Sequence, residues 1–309
     1  MKKWLAFGTP LLCAAVGAGA LRYWQRATAF EANGLLTPHA PATWCLVGLV
    51  ALAAAGFFLL GRMVWKGTDF RSYLTAFALP HGALMLVYLL AGGLLMAAGL
   101  LGIREAKLGL ADTLSRYVFS VALVPTGLDL ALVGWLGAQR QEGQGRFAWP
   151  LLLPGWCGCV WLIAAYQSHT AQPNVMGYAL YLLGALCAVG SCYYMAAFSF
   201  ERPRPLACGW LSAMALILLA TAVVDALALE DRQMLLVCLG YMVYVAAQLK
   251  CLLYRSQVSA QLEPWQPPAK EIPEEILQGE LPMETVQDQF PAAEIFWEED
   301  EKLEVSEDE

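Results

Sequence analysis

The sequence predicts an all-α fold, a polytopic transmembrane helix bundle of eight spans with a disordered acidic C-terminal tail. Three observations predict it. Hydrophobic residues make up 59% of the 309-residue chain and charged residues only 15%, where ordinary globular domains hold roughly 45–50% and about 25%. The apolar residues gather into eight runs, each long enough to cross a hydrocarbon core about 30 Å thick as a helix. The formal charge of −7 also divides sharply. From Ser256 onward there are 16 Asp and Glu and two Lys, a balance of −14, whereas residues 1–255 carry 17 Lys and Arg against 10 Asp and Glu, a balance of +7. A basic, greasy body precedes an acidic tail, which excludes an ordinary soluble enzyme and a wholly disordered chain.

The predicted spans are Trp4–Leu21, Thr43–Leu60, His81–Leu101, Tyr117–Leu136, Pro150–Tyr166, Met176–Phe198, Leu206–Leu227 and Met234–Leu253. Short connections between them predict antiparallel neighbours. The third run begins near Tyr73, and Pro80 is expected to break it, leaving Tyr73–Leu79 in the interface. If the N-terminus is cytoplasmic, eleven Lys and Arg fall inside and six outside, which favours both termini inside. Loop 102–116 runs against this bias, with Arg104, Lys107 and Arg116 on the outer side. Trp4, Trp24, Trp44, Trp65, Trp135 and Trp149 lie near run ends, where amphipathic rings prefer the headgroup level.

Lys2-Lys3, an apolar stretch and Ala18-Gly19-Ala20 also fit a cleaved signal peptide. Pro10 within the stretch and its length favour a retained span. A further pattern suggests a parallel 4+4 repeat. Pro10-Leu11-Leu12-Cys13 in run one is matched by Pro154-Gly155-Trp156-Cys157 in run five, and Trp24-Gln25-Arg26-Ala27-Thr28-Ala29 by Tyr166-Gln167-Ser168-His169-Thr170-Ala171. Such a repeat places Gln25 and Gln167 at matching outer helix ends, where they would rim one cleft.

Ionisable residues within spans are costly and mark candidate sites. Asp129 follows Pro125-Thr126-Gly127-Leu128 in run four. Proline removes a backbone donor and glycine loosens the helix, so the run is expected to be broken there, with freed carbonyls beside a carboxylate suited to a cation or a proton. The competing reading is a kinked helix whose Asp129 bonds a neighbouring helix. Asp225, late in run seven, is either solvated at the interface or a second coupling carboxylate. The candidate ion- or substrate-binding set is therefore Asp129, Pro125, Thr126, Asp225, Gln25 and Gln167.

No catalytic set is expected, because the chain holds no H-E-x-x-H, no G-x-S-x-G and no P-loop. No cofactor or metal is expected either. The three histidines, His39, His81 and His169, are scattered, and the nine cysteines include no C-x-x-C pair. Cys157 and Cys159 point to different faces of one helix. Small residues, Ala14, Gly17, Ala18, Gly92, Gly93, Gly99, Gly184 and Gly190, are read as packing devices.

Residues 256–309 combine acid with Pro264, Pro267, Pro268, Pro273, Pro282 and Pro291, a composition that predicts disorder. Ile276-Leu277 and Ile295-Phe296-Trp297 interrupt it as apolar islands suited to a basic groove on a cytoplasmic protein partner. The expected partners are thus the lipid bilayer and that protein, and no basic soluble domain invites nucleic acid.

The stretch Arg22-Tyr23-Trp24-Gln25-Arg26-Ala27-Thr28-Ala29-Phe30-Glu31, followed by Gly34-Leu35 and Pro41-Ala42-Thr43-Trp44, resembles uncharacterised eight-span integral membrane proteins of Gram-positive anaerobes. The likeness covers one loop and its two flanking spans. It implies a bacterial plasma membrane and no activity, since that family has none assigned. Three function classes remain. One is a non-enzymatic scaffold or anchor, the second a secondary transporter coupled through Asp129, and the third an intramembrane enzyme.

Overall fold

The computed structural model describes residues 2–30, 37, 40–66, 68, 70, 73–77, 82–108, 114–139, 148–169, 175–200 and 202–259. All belong to the unit Met1–Leu262. The described helices are α1 (Lys2–Thr28), α2 (Pro41–Val64), α3 (Tyr73–Phe77), α4 (Ala83–Lys107), α5 (Leu114–Gln139), α6 (Ala148–His169), α7 (Val175–Ala197), α8 (Pro205–Ala228) and α9 (Arg232–Ser259), with a single 3₁₀ turn at Phe198–Phe200. Eight of them, all but α3, are long and apolar enough to cross a membrane. The chain is a multi-pass integral membrane protein.

Each predicted run lies within or close to one of these helices, and most of the helices extend past their run by a few polar residues. The fall in hydropathy marks the edge of the hydrocarbon, whereas the backbone keeps its helical hydrogen bonds into the headgroup layer. Pro41 and Pro205 stand in the first turns of α2 and α8, where a missing N–H costs nothing. α9 runs four residues past Arg255 and buries Ser256 completely. The acidic tail, from residue 260 onward, lies outside the described residues, as do His39, His81 and Thr170.

Six helices close a ring in chain order. α4 packs on α5, α5 on α6, α6 on α7, α7 on α8, α8 on α9, and α9 returns to α4. α1 and α2 stand outside the ring against α8. The centre of the ring is filled. Trp161 of α6 is fully buried, stacked 5.0 Å from Tyr241 of α9 and 6.4 Å from Phe119 of α5, and edge-on at 5.8 Å to Tyr181 of α7. Its indole N–H donates to the Tyr181 hydroxyl at 2.6 Å. One aromatic group thus joins four helices.

The tightest seam is α4–α5. A Cβ on Gly92 would sit 2.3 Å from the Gly127 carbonyl oxygen, one on Gly99 2.7 Å from that of Ser120, and one on Gly134 2.6 Å from the Tyr88 Cβ. Gly92 and Gly99 are seven residues apart, as are Ser120, Gly127 and Gly134, which is the period that keeps one seam facing its partner along a supercoil. Gly184 and Gly190 likewise abut Leu218 and Leu211 of α8. Gly17 and Gly93, read as packing devices, meet nothing within 4 Å.

Three expectations are corrected. α5 is a continuous helix through Pro125, which faces outward, so run four is not broken there. Gly127 serves the close approach of α4 rather than a loosened turn. The 4+4 repeat is absent from the packing. α7 packs extensively on α8, whereas its supposed counterpart α2 packs chiefly on α1 and α8 and not on α4. Pro10 and Cys13 face outward, while Pro154 and Cys157 are buried. The segment after α2 forms a short helix of its own, α3, separate from α4. Tyr73, Ala76 and Phe77 of α3 are buried against α9 and the 3₁₀ turn, with Phe77 5.0 Å from Phe198.

These contacts give opposite expectations for two glycines. Gly127→Ala should destabilise the bundle by about 1–3 kcal/mol, because α4 and α5 must separate. Gly93→Ala should be neutral or stabilise by roughly 0.5–1 kcal/mol through helix propensity. Thermal unfolding in detergent micelles compares them, and an equal response of the two variants would contradict the seam.

Candidate functional site

Both termini of the bundle lie at one end, called here the terminal face, because eight crossings return the chain to its starting side. The opposite end, the far face, holds two polar clusters.

In the first, Arg22, Gln25 and Arg26 share one face of α1 at i, i+3 and i+4. Arg22 is fully buried, and its Nε donates to Asp225 Oδ1 at 2.9 Å and its Nη2 to Oδ2 at 2.9 Å. This is the bidentate fork that guanidinium geometry favours. Arg26 Nη1 donates to the same Oδ1 at 2.9 Å. Arg22 Nη1 donates to Gln25 Oε1 at 2.6 Å, and Gln25 Nε2 to Thr43 Oγ1 at 2.9 Å. The Arg22 guanidinium also lies 5.8 Å from the centroid of the Phe30 ring. α1, α2 and α8 are thus joined by one charge-assisted network. Asp225 is 4% exposed, so the solvated interfacial reading does not hold.

The second cluster joins α4, α5 and α9. Arg116 Nε donates to Gln233 Oε1 at 3.1 Å, and its Nη2 lies 3.2 Å from Asp231 Oδ2 and 3.8 Å from Glu105 Oε2. Gln233 Nε2 donates to Ser120 Oγ at 2.8 Å. Asp231 Oδ1 also accepts the Met234 N–H at 2.9 Å, capping the first turn of α9. Gly102 makes room, since a Cβ there would sit 2.2 Å from Ser120 Oγ. Arg116 and Asp231 line a cavity of about 70 Å³ floored by Trp161. That is small beside the roughly 300–1,000 Å³ of small-molecule sites.

The α5 residues divide. Thr126 is buried, and its hydroxyl donates to the Ala122 carbonyl at 2.7 Å. The Cys157 thiol lies within hydrogen-bonding reach of Thr126 and of Tyr241, whose hydroxyl donates to the Pro154 carbonyl at 2.9 Å. Asp129 is half-buried, and its Oδ2 is enclosed without a hydrogen-bond partner among the described residues. The nearby Tyr244 hydroxyl is enclosed as well, with Gln248 beside it. None of the cavities described here is lined by Asp129.

The sequence-predicted set therefore does not converge. Asp225 and Gln25 meet in one network. Thr126 belongs to the α5–α6 contact, Pro125 faces outward, and Gln167 is exposed at the end of α6. Gln25 and Gln167 share no cleft. Arg22, Arg116 and Gln233 escaped the sequence reading because they fall at run ends, where charge is expected to be solvated. The available signal was Arg22 and Arg26 spaced by four on a helix end, matched by Asp225 inside another span.

No protein-family model, characterised protein or solved structure matches the chain.

Breaking a buried ion pair from one side strands a charge and costs about 3–5 kcal/mol. Asp225→Ala is therefore expected to lose about that much stability in detergent unfolding. Arg22→Met combined with Asp225→Leu should recover most of it, because a well-packed apolar pair replaces a buried ionic one at little cost. A single variant as stable as the parent would contradict the buried network.

Proposed function

We propose that the protein is a non-enzymatic scaffold or anchor of a bacterial plasma membrane, with both termini cytoplasmic, whose acidic segment 256–309 holds a cytoplasmic protein partner. The observation that carries this reading is the filled ring. Trp161, Tyr241, Phe119 and Tyr181 occupy the space a substrate path would need, and the far-face polar groups are spent on joining helices. Arg22, Arg26 and Arg116 on the far face are paired with carboxylates, whereas Arg62, Lys66, Arg202 and Arg204 on the terminal face, like Arg104, Lys107 and Arg232 on the far face, form no ion pair among the described residues. The orientation itself is supported by the count of Lys and Arg, eleven on the terminal side against six on the far side.

A second reading, transport coupled through Asp129, is favoured by one observation: the enclosed Asp129 Oδ2 has no hydrogen-bond partner among the described residues. An intramembrane carboxylate without a counter-charge is a proton-relay candidate by default.

Purified full chain in liposomes, together with tagged chain in native membranes, separates the two. The anchor reading expects no proton flux in the parent chain or in Asp129→Asn. It also expects a discrete partner set that Asp129→Asn keeps and a truncation after Leu262 loses. Proton or solute flux abolished by Asp129→Asn would overturn it, and a partner set unchanged by the truncation would remove the tail from it.

A further inference from the structure

On the terminal face, the end of α2 and the start of α8 enclose a groove of about 680 Å³. Arg62, Lys66 and Arg204 line it alongside Met63 and Leu206, and among the described residues no carboxylate does. Among the described residues, none of the three cations has a hydrogen-bond or ion-pair partner. The floor includes Trp65, which is 5% exposed and whose Nε1–H is enclosed with no partner. The four other tryptophans of described placement near predicted run ends, Trp24, Trp44, Trp135 and Trp149, are all exposed. Trp65 is turned inward because Gly209 and Gly61 leave space for it: a Cβ would come within 1.9 Å and 2.9 Å of its ring.

The start of α8 adds donors. Pro205 has no N–H, Cys208 N–H bonds the Arg204 carbonyl, and the Leu206 and Ala207 amides between them have no acceptor within the helix. Both residues line the groove. A 24-residue helix directs its positive end there. Among the described residues, three cations without a carboxylate partner and the first-turn amides of α8 gather at one space, and all of them favour an anion. The groove also has an apolar wall, and it lies where the spans Pro41–Val64 and Pro205–Ala228 reach the membrane surface. A free phosphate would leave that wall unused.

We propose that this groove binds an anionic phospholipid, with its phosphate held by Arg62, Lys66 and Arg204 and an acyl chain lying against Met63 and Leu206. Binding of this kind follows the general attraction of basic clefts at helix ends for anionic headgroups. It would reinforce the existing contact of α2 with α8.

The test uses full-length chain in phosphatidylcholine vesicles containing spin-labelled phosphatidylglycerol or spin-labelled phosphatidylcholine. The parent should immobilise phosphatidylglycerol with a preference of about five-fold or more. R62Q/K66Q/R204Q should reduce the preference to unity, R62K/R204K should keep it, and R104Q/K107Q on the far face should leave it unchanged. K66Q alone, at an exposed position, should lower it partly and serves if the triple variant does not insert. Equal immobilisation of both lipids by the parent would overturn the proposal. So would a preference that survives R62Q/K66Q/R204Q, or K66Q where that chain does not insert, or an equal loss in R104Q/K107Q. Displacement of the label by excess inorganic phosphate would identify a free-anion site and overturn it too.

Discussion

Between α4 and α5 the polypeptide backbones touch, with Gly92 and Gly127 so close that a methyl group on either would meet the other's carbonyl oxygen. The constraint behind this contact governs the whole bundle. Lipid tails cover a leucine as well as a neighbouring helix does, so burying apolar side chains draws no two helices together in a bilayer. Association depends on close packing and on polar pairs. The seven-residue repeat of Gly92 and Gly99 against Ser120, Gly127 and Gly134 supplies the first, and the networks around Asp225 and Arg116 supply the second.

Closing six helices into a ring creates an interior, and its contents decide what the fold can do. Side chains from α5, α6, α7 and α9 meet at Trp161. The hydroxyl and indole groups there bond one another or nearby backbone carbonyls, as Trp161 does with Tyr181 and Tyr241 with Pro154. Polar atoms satisfied internally need no water. α1 and α2 stay outside the ring and need their own attachment. The Arg22–Asp225 fork secures α1, and Gln25 carries the network on to Thr43 of α2. Exceptions among the described residues include the enclosed Asp129 Oδ2, Gln248 Oε1 and Trp65 Nε1.

Hydropathy located all eight long helices, because about 20 apolar residues have one use in a chain of this composition. It also located Asp129, Asp225, Gln25 and Thr126 inside or at the ends of spans. What it did not convey was direction. Asp225 lies one turn from the end of α8, and nothing in its own neighbourhood distinguishes a residue facing lipid headgroups from one facing Arg22, 203 positions away. Pro125 and Gly127 look alike as helix breakers in sequence, but a proline on the outer face of a long helix is tolerated while a glycine on the inner face is a contact. The apparent repeat failed for a related reason. Pro-x-x-Cys recurs in α1 and α6, but one copy faces outward and the other faces the core. The segment from Arg22 to Thr43 supplies Arg22, Gln25, Arg26 and Thr43, four of the five residues in the Asp225 network.

A ring filled in this way should be closed to water. Cys157 reports on it directly, since it is buried beside Thr126 and Tyr241 and is a free thiol. In a chain whose other eight cysteines are replaced by alanine or serine, Cys157 should resist a small charged methanethiosulfonate applied from either side of the membrane, and react only after unfolding. Prompt labelling of the folded protein from either face would reveal a water path through the bundle and contradict the account.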